Sequence, residues 1–260
     1  MGVNDLINQS IKLFQSGEKE KAKKSLSNLL LENKKNTLAR YNLALMQYET
    51  NEIESSIQNY EYVLEIEKNN WKSILNLYVI KLRQKKYNEA LDLINKLLKI
   101  KPNYQPALRD KAYVFLMQKN PEAGLKIILE SLKQNKKDYL AINILGMIYM
   151  ELGSYDLSNQ ALKEAIKINE KYVPSMNNLG RCLVFQHNKT DAKKLFKKVL
   201  KIDPKYIDSI TNLANIYLSE GEYLEGLKYH LKANKFDQNN NIILFNIGCT
   251  YAYIQDYKNA

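Results

Sequence analysis

A period of 34 residues governs this sequence. Counted from Val3, residues 3–260 divide into seven full copies and the start of an eighth, without any insertion or deletion. The eighth residue of a copy is small in seven of eight cases: Ser10, Ala44, Tyr78, Ala112, Gly146, Gly180, Ala214 and Gly248. The twentieth is small in all eight: Ala22, Ser56, Ala90, Gly124, Ser158, Ala192, Gly226 and Ala260. A fixed period of this length predicts one structural unit stacked repeatedly along the chain.

Each copy is predicted to form two helices joined by a turn. In the seventh copy, apolar residues recur from Ile210 to Tyr217 at the three- and four-residue steps of one helix face. Gly221 interrupts this pattern, and a second helical pattern begins at Tyr223. Helices that cross at about 8–10 Å require small side chains at the crossing. The small residues at positions 8 and 20 therefore predict that the two helices of a copy pack closely together.

These copies resemble the tetratricopeptide repeat (TPR) family in length and in the placing of their small residues. Pro102 and Pro204 also fall at position 32, where the family has a helix-ending proline. The resemblance implies an all-α fold, a right-handed superhelix of antiparallel helix pairs in a single domain over residues 3–260. Position 7 is Leu or Ile in six copies: Leu43, Leu77, Leu145, Leu179, Leu213 and Ile247. The expected repeats are 3–36, 37–70, 71–104, 105–138, 139–172, 173–206, 207–240 and a partial 241–260.

The sequence offers no catalytic or metal-binding constellation. The two histidines, His187 and His230, fall at a turn position and a core position, and no glycine-rich phosphate loop or Cys/His metal spacing is present. Cys182 and Cys249 lie two repeats apart, which favours free thiols in a reducing compartment. No apolar stretch approaches the ~20 residues of a membrane span. We therefore expect a cytoplasmic protein that is not an enzyme and has no cofactor, metal or membrane contact.

The net charge of +11 raises the question of nucleic-acid binding. Only four of the 39 basic residues are arginines, and many lysines lie on the predicted outer side of second helices. Arginine is the residue best suited to forked phosphate contacts. A solvated convex face therefore explains the lysines better than a phosphate-binding stripe, and nucleic-acid binding is the weaker alternative. The lysines of one second helix illustrate the pattern: Lys193, Lys194, Lys197, Lys198 and Lys201.

Position 6 of the first helices carries a polar series. It reads Asn8, Asn42, Asn76, Asp110, Ile144, Asn178, Asn212 and Asn246. The 30 asparagines of the chain would place about one Asn in eight positions by composition alone, whereas six are found. In the TPR family, positions 2, 5, 6, 9, 12 and 13 line the concave wall. The resemblance thus implies a peptide-binding face that also includes Tyr41 and Arg109 at position 5, and Tyr113 and Arg181 at position 9.

Two interpretations of the asparagines are open. First helices about 10 Å apart would present one amide for every third residue of an extended peptide, which rises about 3.3 Å per residue. Such a series resembles the asparagine ladder of O-GlcNAc transferase. Alternatively, each amide hydrogen-bonds to the neighbouring repeat, as in ordinary TPRs. No three consecutive repeats supply the Lys and Asn set of the TPRs that clamp chaperone C-termini, so that function is disfavoured.

The sequence therefore predicts a scaffold that binds an extended protein or peptide in its concave groove. The alternative is the substrate-recruiting arm of a larger enzyme, such as a glycosyltransferase or sulfotransferase. In repeat eight the second helix has barely begun at Tyr257 when the sequence ends. This favours a fragment of a longer protein; the other explanation is an end that is capped by another chain or by self-association.

Overall fold

The computed structural model describes residues 2–254, and these form fifteen α-helices without a strand. Gln255–Ala260, with the expected start of a second helix at Tyr257, lie outside the described residues. Successive first helices begin 34 residues apart, at Val3, Thr37, Trp71, Gln105, Tyr139, Val173, Ile207 and Asn241. Each helix pair in the described part thus keeps the period of the sequence.

The contacts divide the chain into two compact units, one ending at Gln118 and the other beginning at Lys119. Unit 1 contains α1 (Val3–Gln15), α2 (Lys19–Glu32), α3 (Thr37–Glu49), α4 (Ile53–Ile66), α5 (Trp71–Arg83), α6 (Tyr87–Ile100) and α7 (Gln105–Met117). Unit 2 contains α8 (Pro121–Gln134), α9 (Tyr139–Glu151), α10 (Tyr155–Ile168), α11 (Val173–Phe185), α12 (Lys189–Ile202), α13 (Ile207–Ser219), α14 (Tyr223–Asn234) and α15 (Asn241–Tyr253). That the chain forms one continuous domain, as the sequence suggests, stays a prediction.

Side-chain caps set the start of several first helices. The side chain of Asn36 accepts a hydrogen bond from the backbone of Ala39, and Asn70 does the same for Ser73. Such caps satisfy amide groups that have no partner inside the helix. The position before the first helix is therefore polar where a cap is made, and this position is the last of the preceding repeat: Asn36, Asn70, Asp138 and Asn240.

The turn between the two helices of a repeat places position 15 in the left-handed backbone region. Glycine occupies it in three repeats, as at Gly153 with φ +72°. The other four repeats use a non-glycine residue at φ +57° to +65°: Asn51, Lys85, Lys119 and His187. Lys85 and Lys119 therefore adopt the left-handed conformation although they carry side chains. Gln255, at the same position, lies outside the described residues.

Positions 8 and 20 meet inside the helix pairs of repeats two, five and seven, as the sequence predicts. The hydroxyl of Ser158 donates to the carbonyl oxygen of Gly146 at 2.8 Å. A Cβ added to Gly146 would lie 2.6 Å from Cγ of Leu162, and one added to Gly180 would lie 2.5 Å from Cε1 of Phe196. Glycine is therefore required here because the side chain at position 24 fills the space that a methyl group would take.

Candidate functional site

In unit 2, two of the position-6 asparagines hydrogen-bond to the preceding repeat. Asn178 Nδ2 donates to Asn143 Oδ1 at 3.0 Å, and Asn212 Nδ2 donates to Asn177 Oδ1 at 3.1 Å. Asn143, Asn177 and Asn178 are buried, with 3–7% of their surface exposed. The position-3 serines donate to the same oxygens, Ser175 to Asn143 at 3.0 Å and Ser209 to Asn177 at 2.8 Å. One amide oxygen thus accepts two hydrogen bonds across each of these repeat junctions.

Unit 1 has a variant of this arrangement. Asn76 Nδ2 donates to the hydroxyl of Tyr41 at 3.2 Å and to that of Tyr60 at 2.9 Å. Burial raises the pKa of Tyr60, so its hydroxyl stays neutral. Asn42, in contrast, donates to the carbonyl oxygen of Leu38 in its own helix at 2.8 Å.

The residue 35 positions earlier accounts for the bonds of four of these asparagines: Asn42, Asn76, Asn178 and Asn212. Tyr41, Asn143 and Asn177, at position 5 of the preceding repeat, each offer an oxygen to which the next position-6 asparagine donates. Ile7 offers none, and Asn42 turns back to its own helix. Of the two interpretations of the series, the structure therefore supports a bond to the neighbouring repeat for Asn76, Asn178 and Asn212. The sequence contained this signal, but only when positions 5 and 6 of successive repeats are compared together.

Asp110, the one acidic member of the series, pairs with Tyr78. The Tyr78 hydroxyl hydrogen-bonds to the carboxylate of Asp110 on the next first helix. Tyr78 is the one large residue at position 8, and it is accommodated with only 1% of its surface exposed. Burial raises the pKa of Asp110, while the bond from Tyr78 and the charge of Arg109 oppose this shift. The pair of Tyr78 and Asp110 is therefore part of the internal packing of unit 1.

A groove in unit 1, here called groove 1, has a volume of about 970 Å³. Its wall includes exposed apolar side chains: Leu38 is 52% exposed and Ile66 is 44% exposed. Trp71, at its edge, packs against Tyr104 and carries the Lys101 ammonium 3.9 Å above its ring. The lining residues are Ile7, Asn8, Ile11, Thr37, Leu38, Tyr41, Asn42, Ile66, Glu67, Lys68, Asn69, Asn70, Trp71 and Lys72.

A second groove, here called groove 2, lies in unit 2 and has a volume of about 450 Å³. Its lining comes from first helices α9, α11, α13 and α15 and from the residues that precede them. Polar side chains make up most of its lining, as they do in groove 1. The lining residues are Asn143, Met147, Pro174, Asn177, Asn178, Arg181, Tyr206, Ile207, Asp208, Thr211, Asn212, Asn240, Ile242 and Ile243.

Two opposite charges act on Tyr206 in groove 2. The pKa of Tyr206 is raised to about 12, mainly by burial and further by the charge of Asp208, while the charge of Arg181 opposes the shift. Within residues 2–254, Arg181 and Asp208 form no ion pair with each other or with another side chain. The half-buried guanidinium of Arg181 is therefore available to a ligand, and Tyr206 is neutral at physiological pH.

The grooves bring together six of the predicted binding residues: Asn8, Tyr41 and Asn42 in groove 1, and Asn178, Arg181 and Asn212 in groove 2. The other five line neither groove: Asn76, Arg109, Asp110, Tyr113 and Asn246. Burial raises the pKa of Tyr113. The residues that sequence reasoning missed are the position-5 asparagines, Asn143 and Asn177.

Among residues 2–254, no group of three His, Cys, Asp or Glu side chains is arranged to hold a metal ion. None of the helices in that range combines the length and apolar character that crossing a membrane requires.

This geometry defines an all-α solenoid class of protein, in which stacked helix pairs expose grooves on their first helices. Family models described as tetratricopeptide repeat match residues 140–172, 173–206 and 195–228. The chain therefore contains tetratricopeptide repeats, and the predicted fold class is confirmed. No curated protein sequence matches the chain.

Solved structures with the same fold cover most of the chain. A tetratricopeptide repeat protein from Parabacteroides merdae is similar with a TM-score of 0.87 at 18% identity, covering 95% of this chain and 98% of that one. A thermophilic TPR protein from Thermus thermophilus is similar with a TM-score of 0.66 at 20% identity, covering 70% and 99%. YrrB, described as a TPR protein with an unusual peptide-binding site, is similar with a TM-score of 0.54 at 18% identity, covering 71% and 95%.

Proposed function

We propose that the chain is a protein-interaction scaffold that binds an extended polypeptide along groove 2. The observation that carries this proposal is a set of polar groups in the groove that have no partner among residues 2–254. They include the guanidinium of Arg181, the amide nitrogen of Asn177 and the amide oxygen of Asn178. These groups are donors and acceptors of the kind that peptide groups require.

The inter-repeat bonds support this role, because they hold the amides in one orientation. Asn177 is fixed by two donors at its oxygen, and Asn178 by the bond from its nitrogen to Asn143. A polar group that is held in place before binding loses less conformational entropy when the ligand arrives. The asparagine series therefore contributes to binding chiefly by orienting the groove, and its free oxygens add contacts.

The dimensions suit an extended chain. Groove 2 runs over four first helices that are about 10 Å from one to the next. An extended chain that spans them needs roughly nine residues at about 3.3 Å each. YrrB, with the same fold, is a protein for which a peptide-binding site is described, which supports the class of ligand.

The test fills the groove with a bulky uncharged side chain. We expect Thr211→Trp to weaken binding of a pool of acetylated, amidated random peptides of roughly nine residues by about 10-fold or more, because Thr211 lines groove 2. Binding is measured by fluorescence anisotropy, and circular dichroism verifies that the variant is folded. An asparagine-to-alanine series is a poorer test, because it also removes bonds between repeats.

The matched control is Thr190→Trp, the same change at an exposed position of second helix α12. This variant should bind like the wild type. Equal binding by wild type and folded Thr211→Trp would show that peptides do not use groove 2.

A further inference from the structure

One residue of groove 2 differs in charge from the residues at the same position, position 9, of the other first helices. Arg181 is the only charged member of the series Ile11, Leu45, Val79, Tyr113, Met147, Arg181, Asn215 and Cys249. It is half-buried, lines groove 2, and makes no hydrogen bond or ion pair within the described residues. None of its nitrogens is shut off from solvent, so the guanidinium opens onto the groove. Stability of the fold does not account for a lone cation at this position.

Asn177 adds donors beside this cation. Its oxygen accepts from the Ser209 hydroxyl at 2.8 Å and from Asn212 at 3.1 Å, so these two donors determine which end of the amide is the oxygen. The amide nitrogen then faces away from repeat seven and has no acceptor among residues 2–254. This part of groove 2 is therefore rich in donors, and a ligand that fills it must bring acceptors.

We infer that groove 2 selects a polypeptide segment with one acidic side chain, whose carboxylate binds the Arg181 guanidinium beside the amide nitrogen of Asn177. This inference rests on the proposed function and adds the chemistry of the bound segment. Forked bonds from a guanidinium to a carboxylate are among the strongest that a neutral groove can offer. The ligand group is the side chain of an internal Asp or Glu.

The position of Arg181 in the groove indicates that its carboxylate ligand is a side chain within the bound peptide and not the peptide's C-terminus. Lining residues extend from Asn143 on α9, before Arg181, to Ile243 on α15, beyond it. A segment bound along the groove therefore continues on both sides of the carboxylate. The exposed carboxylate of Asp208 limits the preference to a single acidic residue, because a second one near it would be repelled.

The experiment compares peptide pools on the full chain. The pools are acetylated and amidated, roughly nine residues long, random except for a fixed central residue, which is Glu, Gln or Lys. We expect the Glu pool to bind about 10- to 100-fold more tightly than the Gln pool, since hydrogen bonds to charged groups are worth that much. Arg181→Gln should abolish this preference, and added salt should reduce it.

Controls separate this site from the general positive charge of the chain. Lys201→Gln removes one exposed positive charge from α12 and should keep the Glu preference. A pool with several glutamates should bind no better than the pool with one, whereas tighter binding would attribute the effect to the net charge and overturn the inference. A Gln pool with a free C-terminal carboxylate that outcompetes the Glu pool would also overturn it.

The outcomes distinguish the two proposals. If the Glu and Gln pools bind the wild-type chain equally and Thr211→Trp weakens the binding of both, the selection of an acidic residue is refuted and the proposed function remains. Absence of binding by every pool would refute both. The comparison of peptides on the wild-type chain needs no variant, so misfolding of Arg181→Gln cannot obscure the result.

Discussion

Replacing Gly180 by alanine is expected to lower the free energy of unfolding of the chain by about 1–3 kcal/mol. The new methyl group would lie 2.5 Å from Cε1 and 2.7 Å from Cζ of Phe196, whose ring is fully buried. Intrinsic helix propensity acts in the opposite direction, favouring alanine by about 1 kcal/mol. We expect the clash to win because the buried ring has no free space into which it can move. Urea unfolding followed by circular dichroism measures the difference.

The control removes the clash by changing Phe196 instead of Gly180. In a Phe196→Ala background the ring atoms that the new methyl group would meet are absent, so the clash is removed. There the change Gly180→Ala should be neutral or stabilising, because only the propensity term remains. A single Gly180→Ala variant that is as stable as the wild type would show that the close packing at position 8 is not required.

His230 is expected to make unit 2 less stable in mild acid. Position 24 is buried and apolar or aromatic in the other repeats, but in repeat seven it is His230, which is fully buried. Neither of its ring nitrogens has a hydrogen-bond partner among residues 2–254. Burial lowers the pKa of His230 from its usual 6.5. A buried polar group without a partner destabilises a fold by about 1–3 kcal/mol.

The lowered pKa of His230 determines how the stability of the fold changes with pH. The native state binds the proton less readily than the unfolded state, so the contribution of neutral His230 is fully present above pH 6.5 and is lost as the pH falls toward its lowered pKa. We expect His230→Leu to raise the free energy of unfolding by about 1–2 kcal/mol at neutral pH, and by more in mild acid. Urea unfolding at two pH values measures both effects.

The matched control uses the other histidine. His187 is exposed at a left-handed turn position, where asparagine is well tolerated, so His187→Asn should leave the pH dependence unchanged. If His230→Leu and the wild type lose the same stability between neutral pH and mild acid, another group is responsible and this account of His230 is wrong.

The elements of this fold could be predicted closely from sequence, because their determinants are local or periodic. Small residues at positions 8 and 20 mark the helix crossing, and Gly153 or Gly221 marks the turn. The left-handed conformation at Lys85 and Lys119 could not be assigned, because a side chain disfavours it and neither residue marks such a turn in the sequence as glycine does. The division at Gln118 was not predicted either.

The candidate site was only partly predictable. The position-6 asparagines stand out by frequency, but frequency does not separate a ligand contact from a bond between repeats. Their partners are 35 residues away in sequence, and Asn42 differs from Asn178 only because Ile7 precedes the one and Asn143 the other. Arg181 was among the predicted residues, whereas its neighbour Asn177 was not, since its role depends on Ser209 and Asn212.

Photocrosslinking would show directly whether groove 2 binds an extended polypeptide. The random capped peptide pool would carry one benzophenone residue, and the crosslinked sites on the full chain would be located by mass spectrometry. We expect crosslinks in unit 2 to concentrate on groove residues of α9, α11 and α13, such as Met147 and Thr211, and unlabelled peptides to compete for them. Crosslinks found mainly on the second helices α10, α12 and α14 would contradict this expectation.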